Sequence, residues 1–172
     1  MKSIYNIIGV DPSLVSTGLT INGKLFNYVK KKSAFNKSGL QKWYKMCEDI
    51  VTYRWIEYDS ENKIFTDSEV AKIRDYDRVT DIIIEDINAN IDHNKETYIM
   101  IESYSYSSNA GPLIDLVTFS TLLRIKLLSI TDNVHIIPPQ SLKKESCKLT
   151  YKPIEIIKGK VKKKITYEYR ND

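Results

Sequence analysis

The chain has 172 residues, of which 42% are hydrophobic and 28% charged, ordinary for a globular domain with length enough to bury a core. No apolar run approaches the roughly 20 residues of a membrane-spanning helix, and Met1-Lys2-Ser3 lead directly into an apolar segment without a leader, so an intracellular protein with no membrane partner is expected. Two cysteines without CxxC spacing (Cys47, Cys147) and two distant histidines (His93, His135) argue against a disulfide framework or a histidine-rich metal cluster, so any metal would be held by oxygen.

Residues 4–10 predict a buried strand, because Ile7, Ile8 and Val10 leave little polar face. A carboxylate, Asp11, ends this strand, and a Pro12-Ser13 turn follows it. Residues 18–21 and 24–30 flank Asn22-Gly23, a strong hairpin signal. Leu40, Tyr44, Cys47 and Val51 recur at helical spacing and predict a helix over 40–53, and the polar stretch 59–63 predicts a loop. Val70, Ile73, Val79, Ile82, Ile83, Ile87 and Ile91 recur in steps of three and four, predicting a long amphipathic helix over 68–91. A short buried strand over 98–101 ends at Glu102. A loop rich in Ser, Asn and Gly then runs to Gly111-Pro112, a helix covers 113–128, and 134–137 is a further strand. Three leading strands followed by alternating helices and strands define a mixed α/β fold rather than a purely parallel doubly wound sheet.

Asp11 and Glu102 each stand at the C-terminal tip of an otherwise apolar strand. If those strands are neighbours, two like charges meet, at a cost that a cation removes. Mg²⁺ fits, since hard cations take carboxylate oxygens and retain waters. The plainer alternatives are a turn-forming Asp before Pro12 and a surface Glu at a strand end.

Asp11-Pro12-Ser13, Thr17-Gly18, "IESYSYSSNAG", "PPQSLKK" and "GPLIDLVTFSTLLRIKLL" together resemble the RuvC-type Holliday junction resolvases of the RNase H-like superfamily, in particular their phage and viral members. The resemblance covers about 4–30 and 98–144, with 33–91 as an insertion. It implies a single domain over 1–172 with a mixed five-stranded sheet, a three-strand meander followed by two parallel strands, flanked by helices. It implies Mg²⁺-dependent resolution of branched double-stranded DNA by a homodimer. Two ions per complete site are expected, with Mn²⁺ as a substitute, and Asp11 and Glu102 are their ligands. Lys143 or Lys144 would stabilise charge on the phosphate, though a merely solvated lysine is the equal alternative. Tyr104 and Tyr106 would stack on bases near the crossover, or one of them belongs to the core. The family adds aspartates on a C-terminal helix, whereas this sequence stops at "YEYRND". A truncated chain, a disordered tail or lost catalysis would each account for that. Asp115, one turn into the helix after Glu102, is the substitute candidate ligand, or a partner of the helix dipole.

Charge is unevenly distributed. From Lys143 to Asp172 ten Lys and Arg face four Asp and Glu, a net +6, so the preceding 142 residues carry −2 of the total +4. Within this segment, residues about 150–170 predict a β-hairpin turning at Lys158-Gly159. Lys160, Lys162, Lys163 and Lys164 are candidates to lie along a DNA backbone; the bland reading is a solvated lysine-rich strand pair. Two other functions remain beside the nuclease. One is a junction-binding protein without catalysis. The other is a phosphate-binding ATPase of the actin and sugar-kinase type, disfavoured because 172 residues do not hold its two domains.

Overall fold

The computed structural model describes residues 4–32, 38–62, 64–104, 110–158 and 161–169. They fall in two compact units, Met1–Ile136 and Ile137–Asp172. The first opens with an antiparallel meander of β1 (Asn6–Asp11), β2 (Ser16–Ile21) and β3 (Lys24–Lys30). Asn22 and Gly23 have φ of 51° and 87°, the left-handed pair that a two-residue hairpin turn needs. Next come α1 (Ser38–Met46), β4 (Val51–Ile56), a 3₁₀ turn (Asp59–Asn62) and the long helix α2 (Phe65–Asn90). β5 (Thr97–Glu102), α3 (Ala110–Leu128) and β6 (Val134–Ile137) follow. The six strands form one mixed sheet in the order β4-β3-β2-β1-β5-β6, with β5 parallel to β1 and β4 parallel to β3.

The sheet therefore has six strands where five were expected, and the reason lies in residues 40–53. Their helical spacing holds only to Met46, after which Cys47 closes a turn by accepting from the Ile50 and Val51 amides at 3.0 and 2.9 Å. Val51-Thr-Tyr-Arg-Trp-Ile is β-branched and aromatic, and it pairs along β3 from Leu25–Val51 to Lys30–Ile56. A parallel neighbour requires a crossover, and α1 lies on it. The predicted loop at 59–63 contains the 3₁₀ turn.

One face of the sheet is buried. Ile8, Val10, Leu19, Ile21, Phe26, Ile99 and Ile101 pack with Val79, Ile83 and Ile87 of α2 and Phe119, Leu123 and Leu127 of α3. Those helical residues recur every fourth position, one stripe per helix, and each fully buried side chain stabilises by about 1.5–3 kcal/mol. The stripe on α2 is shorter than its periodicity suggested, for Val70 and Ile73 are half-exposed.

Three buried polar groups fix the elements around this core. The Asn6 amide nitrogen donates to the carbonyl of Asp92 (2.8 Å) and the hydroxyl of Thr97 (3.0 Å). Its oxygen accepts from the Asp92 amide (3.1 Å) and the Asn22 side chain (3.2 Å). Asp86 on α2 accepts from the Tyr28 hydroxyl (2.9 Å) and from Arg54 Nε and Nη2 (3.0 and 2.7 Å), joining the helix to β3 and β4. Asp75 caps the 3₁₀ turn through the amides of Asp59 and Ser60 and pairs with Arg78. Burial pushes the Asp75 carboxyl up, but the Ser60 amide, Arg78 and the Asp59 amide outweigh it and hold the group below its ordinary value.

In the second unit α4 (Pro139–Thr150) leads into an antiparallel ribbon of β7 (Tyr151–Lys158) and β8 (Val161–Tyr169). The expected hairpin is thus present, with Tyr151 opposite Tyr169 and an irregularity between Ile156 and Lys158.

Candidate metal and nucleic-acid site

β1 and β5 run side by side, in register from Asn6 opposite Thr97 to Val10 opposite Ile101. One further step along each strand sets Asp11 beside Glu102, on backbones about 4.8 Å apart. The pair stands at the C-terminal ends of two central strands. Alternation decides which way the two residues face. Ile8, Val10, Ile99 and Ile101 are buried against α2 and α3, whereas Asp11 is exposed and Glu102 half-buried, on the opposite face.

The turn after Asp11 explains why a carboxylate is available there. Thr17, itself buried, donates its hydroxyl hydrogen to the Ser13 carbonyl (2.7 Å) and accepts from the Ser13 amide (3.2 Å). Ser13 Oγ in turn accepts from the amides of Val15 and Ser16 at 3.3 and 3.4 Å. Ser13 and Thr17 therefore close the turn. Among the described residues the Asp11 side chain makes no hydrogen bond or ion pair. Opposite Asp11 stands Gly18, where a Cβ would lie 3.7 Å from the Asp11 Cβ, so the strand pair adds no side chain beside the carboxylate.

Two carboxylates on adjacent strand ends suit one hard divalent cation that completes its shell with water. Among the described residues no third His, Cys, Asp or Glu joins them in a ligand group. Asp115 is on α3, where its carboxylate lies 3.5 Å from Lys72 Nζ, bridging α3 to α2. Lys143 and Lys144 are exposed on α4 in the second unit. Lys162, Lys163 and Lys164 lie in β8, whereas Tyr106 and Lys160 fall outside the described residues.

Tyr104 is held by a residue that sequence reasoning missed. Arg124 of α3 donates from Nη1 to the Tyr104 hydroxyl (2.7 Å), and its guanidinium stacks 4.3 Å above the Tyr104 ring. Arg124 Nε and Nη2, and Ser120 Oγ one turn earlier, are buried without hydrogen-bond partners among the described residues. A guanidinium with donors to spare beside the exit of the Glu102 strand is suited to an anion. The available signal was an arginine inside an otherwise apolar helical run.

Comparison with known proteins finds no match to this chain, whether among family models, curated proteins or solved structures. The fold and site define a mixed α/β domain with a carboxylate pair at the ends of two parallel strands. Among its described residues no helix is long and apolar enough to cross a membrane.

Proposed function

We propose that the chain is a metal-dependent, structure-selective DNA endonuclease of RNase H-like fold, hydrolysing phosphodiesters at four-way or branched junctions. The observation that carries this reading is the parallel register of β1 and β5, which makes Asp11 and Glu102 neighbours on the less buried sheet face. The strand order supports it: a meander lies next to β5 and β6, as the RuvC-type resemblance implies, with β4 added at the far edge. Asp11 and Glu102 would hold Mg²⁺ or Mn²⁺, and such an ion supplies an activated water and charge stabilisation at the leaving oxygen. The chain's own part is to fix the two carboxylates by strand pairing and to keep their face open through Gly18. Lys143 or Lys144 is assigned to the phosphate, and the β7–β8 ribbon with Lys160, Lys162, Lys163 and Lys164 to the DNA backbone. Symmetric resolution of both strands calls for a two-fold homodimer, working inside the cell.

A labelled four-way junction incubated with the chain and Mg²⁺ or Mn²⁺ tests this. Cuts at the branch are expected, absent from Asp11→Asn and Glu102→Gln, while gel-shift binding of the junction persists in both. Equal nicking by wild type and variants would refute the assignment. A second reading, a junction-binding protein without catalysis, is favoured by the lack of a third ligand among the described residues. Tight junction binding with no cleavage in either metal is its signature.

A further inference from the structure

Residues 12–47 contain seven lysines and no Asp or Glu, whereas residues 48–142 hold seventeen acids against eight Lys and Arg. Two of those lysines, Lys42 and Lys45, stand exposed on α1. The helix docks on the edge strand through Tyr44, whose ring meets Tyr53 at 5.1 Å and Trp55 at 5.2 Å, edge-on in both cases. Tyr53 and Trp55 stack on each other at 5.6 Å with 24° between their planes. These rings, with Gln41, Lys45 and Glu48, line a cleft of about 400 Å³. A cluster serving only to attach α1 would bury its rings, yet Trp55 is 41% exposed and neighbouring Trp43 is 65% exposed.

The register links this cleft to the carboxylates. Asp11 pairs with Gly18, Gly18 with Asn27, and Asn27 with Tyr53, one row across four strands. Residues paired in such a row share a sheet face, so Tyr53 stands on the same face as Asp11, three strand spacings or about 14 Å away. Only a glycine and an asparagine intervene.

We propose that the cleft between α1 and β4 binds unpaired bases of a single-stranded nucleic acid, which stack on Tyr53 and Trp55 while Lys42 and Lys45 hold its phosphates. Stacked rings with Lys45 in the lining, and Lys42 exposed on the same helix, suit a surface that tracks a single strand without sequence preference, since every base offers a π-face. An acidic peptide would satisfy the lysines but make no use of the exposed ring surface of Trp55. This inference stands apart from cleavage, because binding is measured without metal and again with Asp11→Asn.

The test is a titration of the full chain with a fluorescently labelled twelve-residue oligothymidylate, followed by anisotropy. Trp55 emission is followed with unlabelled oligomer in a Trp43→Phe background, which leaves Trp55 as the one tryptophan. Saturation is expected to quench Trp55. Trp55→Ala should weaken affinity about tenfold or more, and Trp55→Phe should recover most of it. Lys42→Gln with Lys45→Gln should flatten the slope of log affinity against log salt by about 1.4, or 0.7 for each phosphate of a single strand left without its lysine. Bound oligomer with Trp55 emission unchanged overturns the proposal, as does unaltered affinity in a folded Trp55→Ala chain. Trp55 quenching that rises with protein concentration alone also overturns it, in favour of a second copy on this surface.

Discussion

Replacing Asp86 by Ala removes a carboxylate that joins α2 to both β3 and β4. Two losses follow. The Tyr28 hydroxyl, on a residue only 3% exposed, loses its acceptor, and an unsatisfied buried donor costs about 1–3 kcal/mol. The Arg54 pair contributes less, because the Arg54 side chain is 48% exposed and solvent screens it, so about 0–1 kcal/mol is assigned there. The sum is about 1–4 kcal/mol, which for a domain of this size lowers the melting temperature by roughly 2–16 °C. Thermal denaturation followed by circular dichroism measures it. The two residues are coupled: in a Tyr28→Phe background the donor is gone, so Asp86→Ala should cost about 1–3 kcal/mol less. A loss under about 0.5 kcal/mol, or strict additivity of the two substitutions, would refute the claim that Asp86 holds these elements together.

Burial raises the Tyr28 and Tyr76 hydroxyls well above their ordinary value, and for Tyr28 the bond to Asp86 adds to it. Each is protonated in the fold where the unfolded chain ionises. Stability is therefore full below about pH 10 and falls above it by up to about 1.4 kcal/mol per pH unit per tyrosine; Tyr28→Phe should flatten that decline in denaturant titrations from pH 9 to 11. Gly9→Ala is expected to destabilise by about 1–3 kcal/mol, since a Cβ there would meet Thr20 Cγ2 at 2.8 Å; an unchanged urea midpoint would show that Thr20 moves aside freely. Changing Lys160, Lys162, Lys163 and Lys164 to Gln should flatten the salt dependence of duplex binding, by about 0.9 for each phosphate no longer neutralised. An unchanged slope would return the ribbon to a solvated surface.

Where one local signal acts alone, the sequence is a good guide. Asn22-Gly23 specifies its turn through the positive φ that few other residues adopt, and the strand expected over 134–137 has those bounds in the fold. The carboxylate pair is legible because both acids terminate apolar strands, although their adjacency depends on pairing across ninety residues and becomes visible only in the register. β4 is hidden for a physical reason. Tyr44, Cys47 and Val51 keep helical spacing across the break, and only the tertiary pairing with β3 decides where the helix stops. The Asp86 and Asn6 networks are equally hidden, since each polar residue sits within an otherwise ordinary helical or strand pattern and finds its partners from distant segments.

The central claim is that Asp11 and Glu102 share one divalent cation, and calorimetric titration of Mn²⁺ into the 172-residue chain tests it most directly. Two carboxylates leave most of the ion's shell to water, so weak binding of at most one ion is expected. Asp11→Asn and Glu102→Gln should each abolish the heat of binding while leaving the circular dichroism spectrum unchanged. Mn²⁺ binding of equal strength in wild type and both variants, or strong binding of two ions by the wild type, would contradict the account.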